Sequence, residues 1–233
     1  MKGLDKDMFR VYKLPKIIKN NKELFTGVKL FSYGGSGFKF LNSFINKYLS
    51  VKFPSNIHSY IHHTKPNINY KTLDKIIFVY RDPRNALLSH IRRCDRFRKL
   101  GDDYFFSTRR FVQLSIPFGI SKKLTLQDIS LKTFLEDYPD FLDFTGFFLS
   151  WLKFKHPKLL FLKYEFLQKN TKELAAFLEL PEVFALQLQK TFVCSKADYK
   201  VYPKNIVDLL NNNYKELLLK QNNIPAFYIQ KIF

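Results

Sequence analysis

At 233 residues and 46% apolar composition the chain can supply the core of one sizeable α/β domain, and a single domain over 1–233 is expected. Lys plus Arg (39) exceed Asp plus Glu (20) by 19, which points to anionic partners such as nucleotides, sulfated or phosphorylated glycans, nucleic acid or an acidic membrane surface. The only two cysteines, Cys94 and Cys194, sit in apolar-patterned segments, which argues against a disulfide framework and for core thiols in a reducing compartment.

Residues 1–27 mix Lys, Asn and isolated apolar residues and carry no recognisable chemistry. They lack the apolar core of a signal peptide, no run in the chain has the length of a membrane span, and the expected location is cytoplasmic. A strand is predicted over 28–33, then a turn holding Gly34, Gly35 and Gly37, then an amphipathic helix over 38–49 with Phe40, Leu41, Phe44, Ile45 and Leu49 spaced to face a core. Strand, glycine turn and helix N-terminus together present backbone N–H groups to a phosphate, although the same glycines also suit an ordinary tight connection. The span from Gly34 to Gly37 is too short for a triphosphatase loop, and Lys39 is followed by Phe40 rather than Ser or Thr, so ATP or GTP hydrolysis is disfavoured. Phe40, near the helix start, is placed either to pack inward or to stack on a nucleobase.

His58, His62 and His63 fall within six positions, with no Cys, Asp or Glu in their segment. A metal site is therefore not expected, and one of them as a general base is the preferred functional reading. Residues 75–80 form a continuous apolar run, as in a strand covered on both faces. Arg81 stands at its carboxyl end, where ligands bind in open α/β sheets, and Asp82 then caps a helix that begins at Pro83.

Residues 95–125 show no clean periodicity and read as a lid or insertion. Helices are predicted over 126–138 and 140–155, the second with an aromatic stripe of Phe144, Phe147, Phe148, Trp151 and Phe154 that reads as core. A third buried strand is predicted over 159–164. Helices follow over 171–178, opened by a capping-box-like Asn170 and Glu173, over 183–192, and over 205–221 with an Asn-rich interruption at 211–213. Strands alternating with helices indicate an α/β protein with a largely parallel sheet. Lysines are spread through the chain, whereas eight of its nine arginines lie between Arg81 and Arg110, and this cluster reads as the site of phosphate or sulfate recognition.

Three segments, in order, resemble the sulfotransferases that use 3′-phosphoadenosine 5′-phosphosulfate (PAPS). Phe31-Ser-Tyr-Gly-Gly-Ser-Gly-Phe-Lys-Phe40 looks like the 5′-phosphosulfate loop, commonly Pro-Lys-Ser-Gly-Thr-Thr-Trp. Phe78-Val-Tyr-Arg-Asp-Pro-Arg-Asn-Ala-Leu-Leu-Ser89 is similar to the 3′-phosphate segment, Arg-[Asn/Asp]-Pro-x-Asp-x-x-x-Ser, with Arg81 and Ser89 at the matching separation. Residues 159–178, with Tyr164-Glu165, resemble the later Leu-x-Tyr-Glu-Asp strand and its helix.

The resemblance implies a P-loop-like three-layer fold with a central, mostly parallel sheet flanked by helices. It implies a cofactor site in which Gly34, Gly35, Ser36, Gly37, Phe38 and Lys39 hold the 5′-phosphosulfate and Arg81 and Ser89 hold the 3′-phosphate. Phe40 would stack on adenine, with Tyr164 close by. The expected reaction is sulfuryl transfer from PAPS to a hydroxyl or amine of a glycan or small molecule, with 3′,5′-adenosine bisphosphate as product and no metal. An anionic glycan suits the net charge of +19.

The family's base is His or Glu, and His63 best matches its placement here, with His62 next and His58 third. The loop lysine that stabilises the bridging oxygen in the family is Gly35 here; Lys39, the only cation in the loop, is the favoured replacement, with Arg84 or an arginine of the 95–125 stretch as alternatives. The competing readings are a catalytically degenerate anion- or nucleotide-binding protein, for which Gly35 speaks, and a nucleotide kinase-like enzyme, which the missing Gly-Lys-Ser/Thr opposes. No nucleic-acid-binding module is recognisable.

Overall fold

The computed structural model describes residues 28–33, 38–49, 65–66, 75–115, 127–194 and 198–230. In chain order its elements are β1 (Val28–Ser32), α1 (Phe38–Leu49), β2 (Lys75–Tyr80), α2 (Pro83–Ile91), β3 (Arg98–Leu100), β4 (Asp103–Ser107), α3 (Thr108–Ser115), β5 (Asp128–Ser130), α4 (Leu131–Asp137), α5 (Phe144–Lys153), β6 (Leu159–Lys163), α6 (Thr171–Leu178), α7 (Glu182–Thr191), α8 (Lys204–Asn222) and β7 (Phe227–Ile229). Short 3₁₀ turns occupy Tyr164–Lys169 and Tyr199–Val201. Among the described residues no helix is long and apolar enough to cross a membrane.

The central sheet has the order β1-β2-β6-β7, with β1, β2 and β6 parallel and β7 antiparallel at the edge. All six residues of β2 are buried because helices cover both faces of the sheet. Side chains alternate between two cores. Phe31, Phe78 and Phe161 enter one together with residues of α2, α4, α5 and α8, while Leu30, Ile77, Val79, Leu160 and Leu162 enter the other with α1, α6 and α7. The chain is thus an α/β protein with a mixed, mostly parallel sheet between helices.

On the first face the strand register places Phe31 opposite Phe78, Phe78 opposite Phe161 and Phe161 opposite Tyr228. Trp151 of α5 lies on this row, its ring centroid 4.5 Å from that of Phe31 and 5.3 Å from that of Phe78. The aromatic stripe of α5 is therefore core, as its spacing predicted.

Several expectations need correction. The segment predicted as a helix over 126–138 is a short strand followed by a helix, because Ile129 pairs with Phe106 of β4 and Ser130 caps α4, its Oγ accepting from Thr133 N at 3.0 Å. Residues 98–115, within the stretch read as a lid or insertion, form β3, β4 and α3. Strands β3, β4 and β5 make a small antiparallel sheet, and Phe106 and Phe111 belong to the first core. The capping box at α6 does not form, since the Asn170 side chain donates to Phe166 O at 2.8 Å instead. The Asn-rich stretch does not interrupt α8; Asn213 Nδ2 donates to Leu135 O at 2.7 Å and ties α8 to α4. Cys94 is buried, which pushes its thiol up to about 12, whereas Cys194 is only half-buried.

His90 on α2 is buried against Phe111, with ring centroids 5.1 Å apart. Burial, aided by the Arg93 cation and opposed by a hydrogen bond to the Phe111 backbone, pushes its imidazole down from 6.5 to about 4. The folded state stays neutral where the unfolded chain takes up a proton, so stability is lost as pH falls from about 6.5 toward 4, by about 3 kcal/mol in total. Urea unfolding at pH 7.5 and 4.5 should show a smaller difference in His90→Gln than in wild type. Equal pH dependence in the two proteins would refute this account of His90.

Candidate functional site

The connections leaving β1 and β2 diverge: α1 packs on one face of the sheet and α2 on the other. In open α/β sheets such a switch between adjacent strands is where a ligand crevice lies, beyond the carboxyl ends. Tyr33 follows β1, Arg81 follows β2 and Tyr164 follows β6, so the parallel register brings residues from three distant segments to one edge.

A buried hydrogen-bond knot closes this edge. The Tyr33 hydroxyl donates to Arg81 O and accepts from Arg81 N at 3.0 Å and from Gln221 Nε2 of α8 at 2.6 Å. Gln221 Nε2 also donates to Arg81 O at 3.2 Å. Burial, partly offset by these bonds, holds the Tyr33 phenol well above its ordinary range, so it remains a donor at any ordinary pH.

Around the knot two cations meet two carboxylates. Arg81, 3% exposed, places Nε 3.5 Å from Oε1 of Glu165, itself 10% exposed, and the same oxygen accepts from Asp82 N at 3.1 Å. The Arg81 guanidinium lies 5.1 Å from the centre of the Tyr164 ring. Arg84 grips both oxygens of Asp82, with Nε 3.0 Å from Oδ1 and Nη2 2.6 Å from Oδ2, and its Nη1 donates to Asn211 Oδ1 of α8 at 2.5 Å. Burial pushes the Glu165 carboxyl above its ordinary range and the Asp82 charge adds to this, against backbone hydrogen bonds and the Arg81 charge. Among the described residues Glu165 Oε2, Tyr80 Oη, Tyr199 Oη and Gln221 Oε1 are buried without a hydrogen-bond partner.

Beside Arg81 runs a line of aromatic rings. The Tyr164 ring meets Phe192 edge-on at 5.1 Å, and Phe192 meets Phe40 at 5.6 Å. Phe40, 36% exposed, also stacks on Phe44 at 5.8 Å. Tyr164 and Phe192 are backing and Phe40 is the ring with an open face.

Of the residues singled out from the sequence, Phe40, Tyr164 and Arg81 are thus joined through Phe192. Ser89 is half-buried on α2, and the described partners of Arg81 are Glu165 and Tyr164 rather than Ser89. Gly34, Gly35, Ser36, Gly37, His58, His62 and His63 lie outside the described residues, as do the side chains of Phe38 and Lys39, whose backbone forms the first turn of α1. The two described histidines are structural: His90 is buried as above, and His156 precedes β6 at the opposite edge, its Nδ1 accepting from Lys158 N at 3.2 Å. Among the described residues no three His, Cys, Asp or Glu side chains gather as metal ligands.

Tyr33, Glu165, Phe192, Asn211 and Gln221 had no site role in the sequence reading. Position offered a signal for two of them, since Tyr33 and Glu165 stand at or next to strand ends. Comparison with protein-family models, with curated proteins and with solved structures gives no match to this chain.

The knot makes two opposite predictions for two neighbouring tyrosines. Tyr33→Phe leaves the buried Arg81 N–H without its acceptor and should destabilise by about 1–3 kcal/mol in urea unfolding. Tyr80→Phe removes a buried hydroxyl that has no described partner and should be neutral, within about 0.5 kcal/mol, or stabilising. The reverse ranking would show the hydrogen-bond assignment to be wrong.

Proposed function

We propose that the chain binds PAPS along the carboxyl edge of β1, β2 and β6 and transfers its sulfuryl group to an acceptor hydroxyl or amine. The observation that carries this reading is the meeting, at one edge, of the three segments that resemble the PAPS-dependent sulfotransferases. Arg81, Tyr164 and Phe40, drawn from three separate motifs, form one continuous line through Phe192. A P-loop-like backbone between β1 and α1 is part of the same reading.

In this reading the glycine turn and the N-terminus of α1 hold the 5′-phosphosulfate and Phe40 stacks on the adenine. Arg81 and Ser89 take the 3′-phosphate. The acceptor oxygen or nitrogen attacks sulfur as the bond from sulfur to the bridging oxygen of the 5′-phosphate breaks, in line. The acceptor proton passes to His63 or His62, and Lys39 stabilises the charge on the leaving phosphate in place of the lysine absent at Gly35. The basic surface favours an anionic glycan as acceptor.

A second reading, a sulfotransferase-like protein that binds the nucleotide without turnover, draws on two observations. Gly35 stands in place of the loop lysine, and the Arg81 charge is already met by Glu165.

Thermal unfolding with 3′,5′-adenosine bisphosphate, with ATP and with neither tests the binding half. The bisphosphate should raise the midpoint more than ATP does, and Phe40→Ala should weaken its binding roughly 5- to 150-fold, the range for loss of one aromatic stacking platform. Stabilisation by ATP alone would instead favour a kinase-like enzyme. Labelled PAPS supplied with a panel of glycan and phenolic acceptors then separates an active transferase from a degenerate one.

A further inference from the structure

The proposed phosphate site is electrically balanced before any anion arrives. Arg84 is matched by Asp82 and Arg81 by Glu165, so an incoming phosphate meets a buried carboxylate 3.5 Å from the cation it seeks. The two carboxylates differ in how firmly they are held. Asp82 Oδ1 accepts from Arg84 N at 2.9 Å and from Arg84 Nε at 3.0 Å, while Oδ2 accepts from Arg84 Nη2 at 2.6 Å, so both of its oxygens are committed. Glu165 uses only Oε1; its Oε2 is buried with no described partner.

We propose that binding of a phosphate or sulfate dianion at Arg81 is coupled to the uptake of one proton by Glu165, on Oε2. The proton comes from solvent, no other bond is made or broken, and the site changes from a balanced set of four charges to one with a net positive charge that the anion then fills. An uncharged Glu165 also carries an O–H donor, which a phosphate monoester dianion or sulfate, having only acceptor oxygens, can use. The inference rests on the reading of Arg81 as an anion ligand given above.

The surroundings single out Glu165 as the group that changes. Facing it among the described residues are Tyr33 just after β1, Tyr80 at the end of β2, Arg81 and Asp82 between β2 and α2, Arg84 from α2, and Tyr199 from the turn before α8. Helix α8 contributes the uncharged Asn211 and Gln221, which meet Arg84 and Tyr33. The three phenols are pushed upward by burial and stay protonated through neutral pH. Burial has also moved the Glu165 carboxyl upward, toward the range in which an added negative neighbour protonates it.

Titration calorimetry on the full chain at pH 7.5, in two buffers of different ionisation enthalpy, counts the protons. The probes are 3′,5′-adenosine bisphosphate and inorganic sulfate; sulfate has no titration near neutrality, so any pH dependence it shows belongs to the protein. Wild type should take up close to one proton per bound anion, and its Kd for sulfate should fall up to about tenfold per pH unit between pH 8.5 and 7.5. Glu165→Gln should bind with no proton uptake and a flat pH profile, and the wild-type count remains decisive even if that variant folds poorly.

Anion binding without proton uptake in wild type, or equal uptake in the variant, overturns the proposal and leaves the nucleotide reading intact. Sulfate binding with uptake, but no binding of the bisphosphate, overturns the nucleotide reading and supports the proton coupling. Binding of neither anion overturns both.

Discussion

The row of Phe31, Phe78, Phe161 and Tyr228, in register across four strands beneath Trp151, is the constraint on which the candidate site depends. A strand slipped by one residue would turn its aromatic side chain to the opposite face and send its apolar neighbours into the wrong core. Large rings packed on an indole make that slip expensive, so the register is fixed by shape as well as by the ladder of backbone bonds. The same register decides what stands beyond the strand ends. Tyr33, Arg81 and Tyr164 follow their phenylalanines by two or three residues, and they arrive at one edge because those phenylalanines are level.

Charge is distributed on a different principle from the one that composition suggests. The chain carries a net charge of +19, yet the most buried arginine among the described residues sits in a locally balanced group. The arginine cluster divides into two populations. Arg81 and Arg84 lie inward, engaged with Glu165 and with Asp82 and Asn211. Arg92, Arg93, Arg96, Arg98, Arg109 and Arg110 are exposed, on or beside α2, α3 and the small sheet, with Arg92 meeting the Tyr202 hydroxyl and Arg96 meeting Asp128. Guanidinium suits both settings: its planar fork satisfies several acceptors in the interior and its charge is not lost at the surface.

Much of this architecture is legible in the sequence where burial leaves a pattern. The runs 76–80 of β2 and 159–162 of β6 are apolar without interruption because both faces of the sheet are covered, and α1, α6 and α7 show helical spacing because one face packs on it. The small sheet left no such trace: Arg98, Lys99 and Leu100 are all exposed, and β5 buries only Ile129. The three consecutive asparagines of α8 look like a break, yet the first and last of them hold Arg84 and Leu135. In the site, residues at strand ends could be found by position alone, whereas Gln221 meets Tyr33 across 188 residues and Asn211 meets Arg84 across 127. Contacts of that separation leave no local signal, because each partner is an ordinary polar residue in its own segment.

The two amides of α8 have a consequence for how the protein comes into being. Arg81 O and the Tyr33 hydroxyl are set by strands that are synthesised before α8, but the side chain that completes their bonding belongs to Gln221 of that helix. Until that helix has emerged, the edge of the sheet carries buried polar groups short of a partner, and the aromatic core beneath it lacks Ile206, Leu210, Tyr214 and Leu217. A nascent chain halted before α8 would hold every motif of the proposed site in its sequence and still not present the site as a folded surface. The edge at which Tyr33 and Arg81 meet is therefore complete only once α8 has docked.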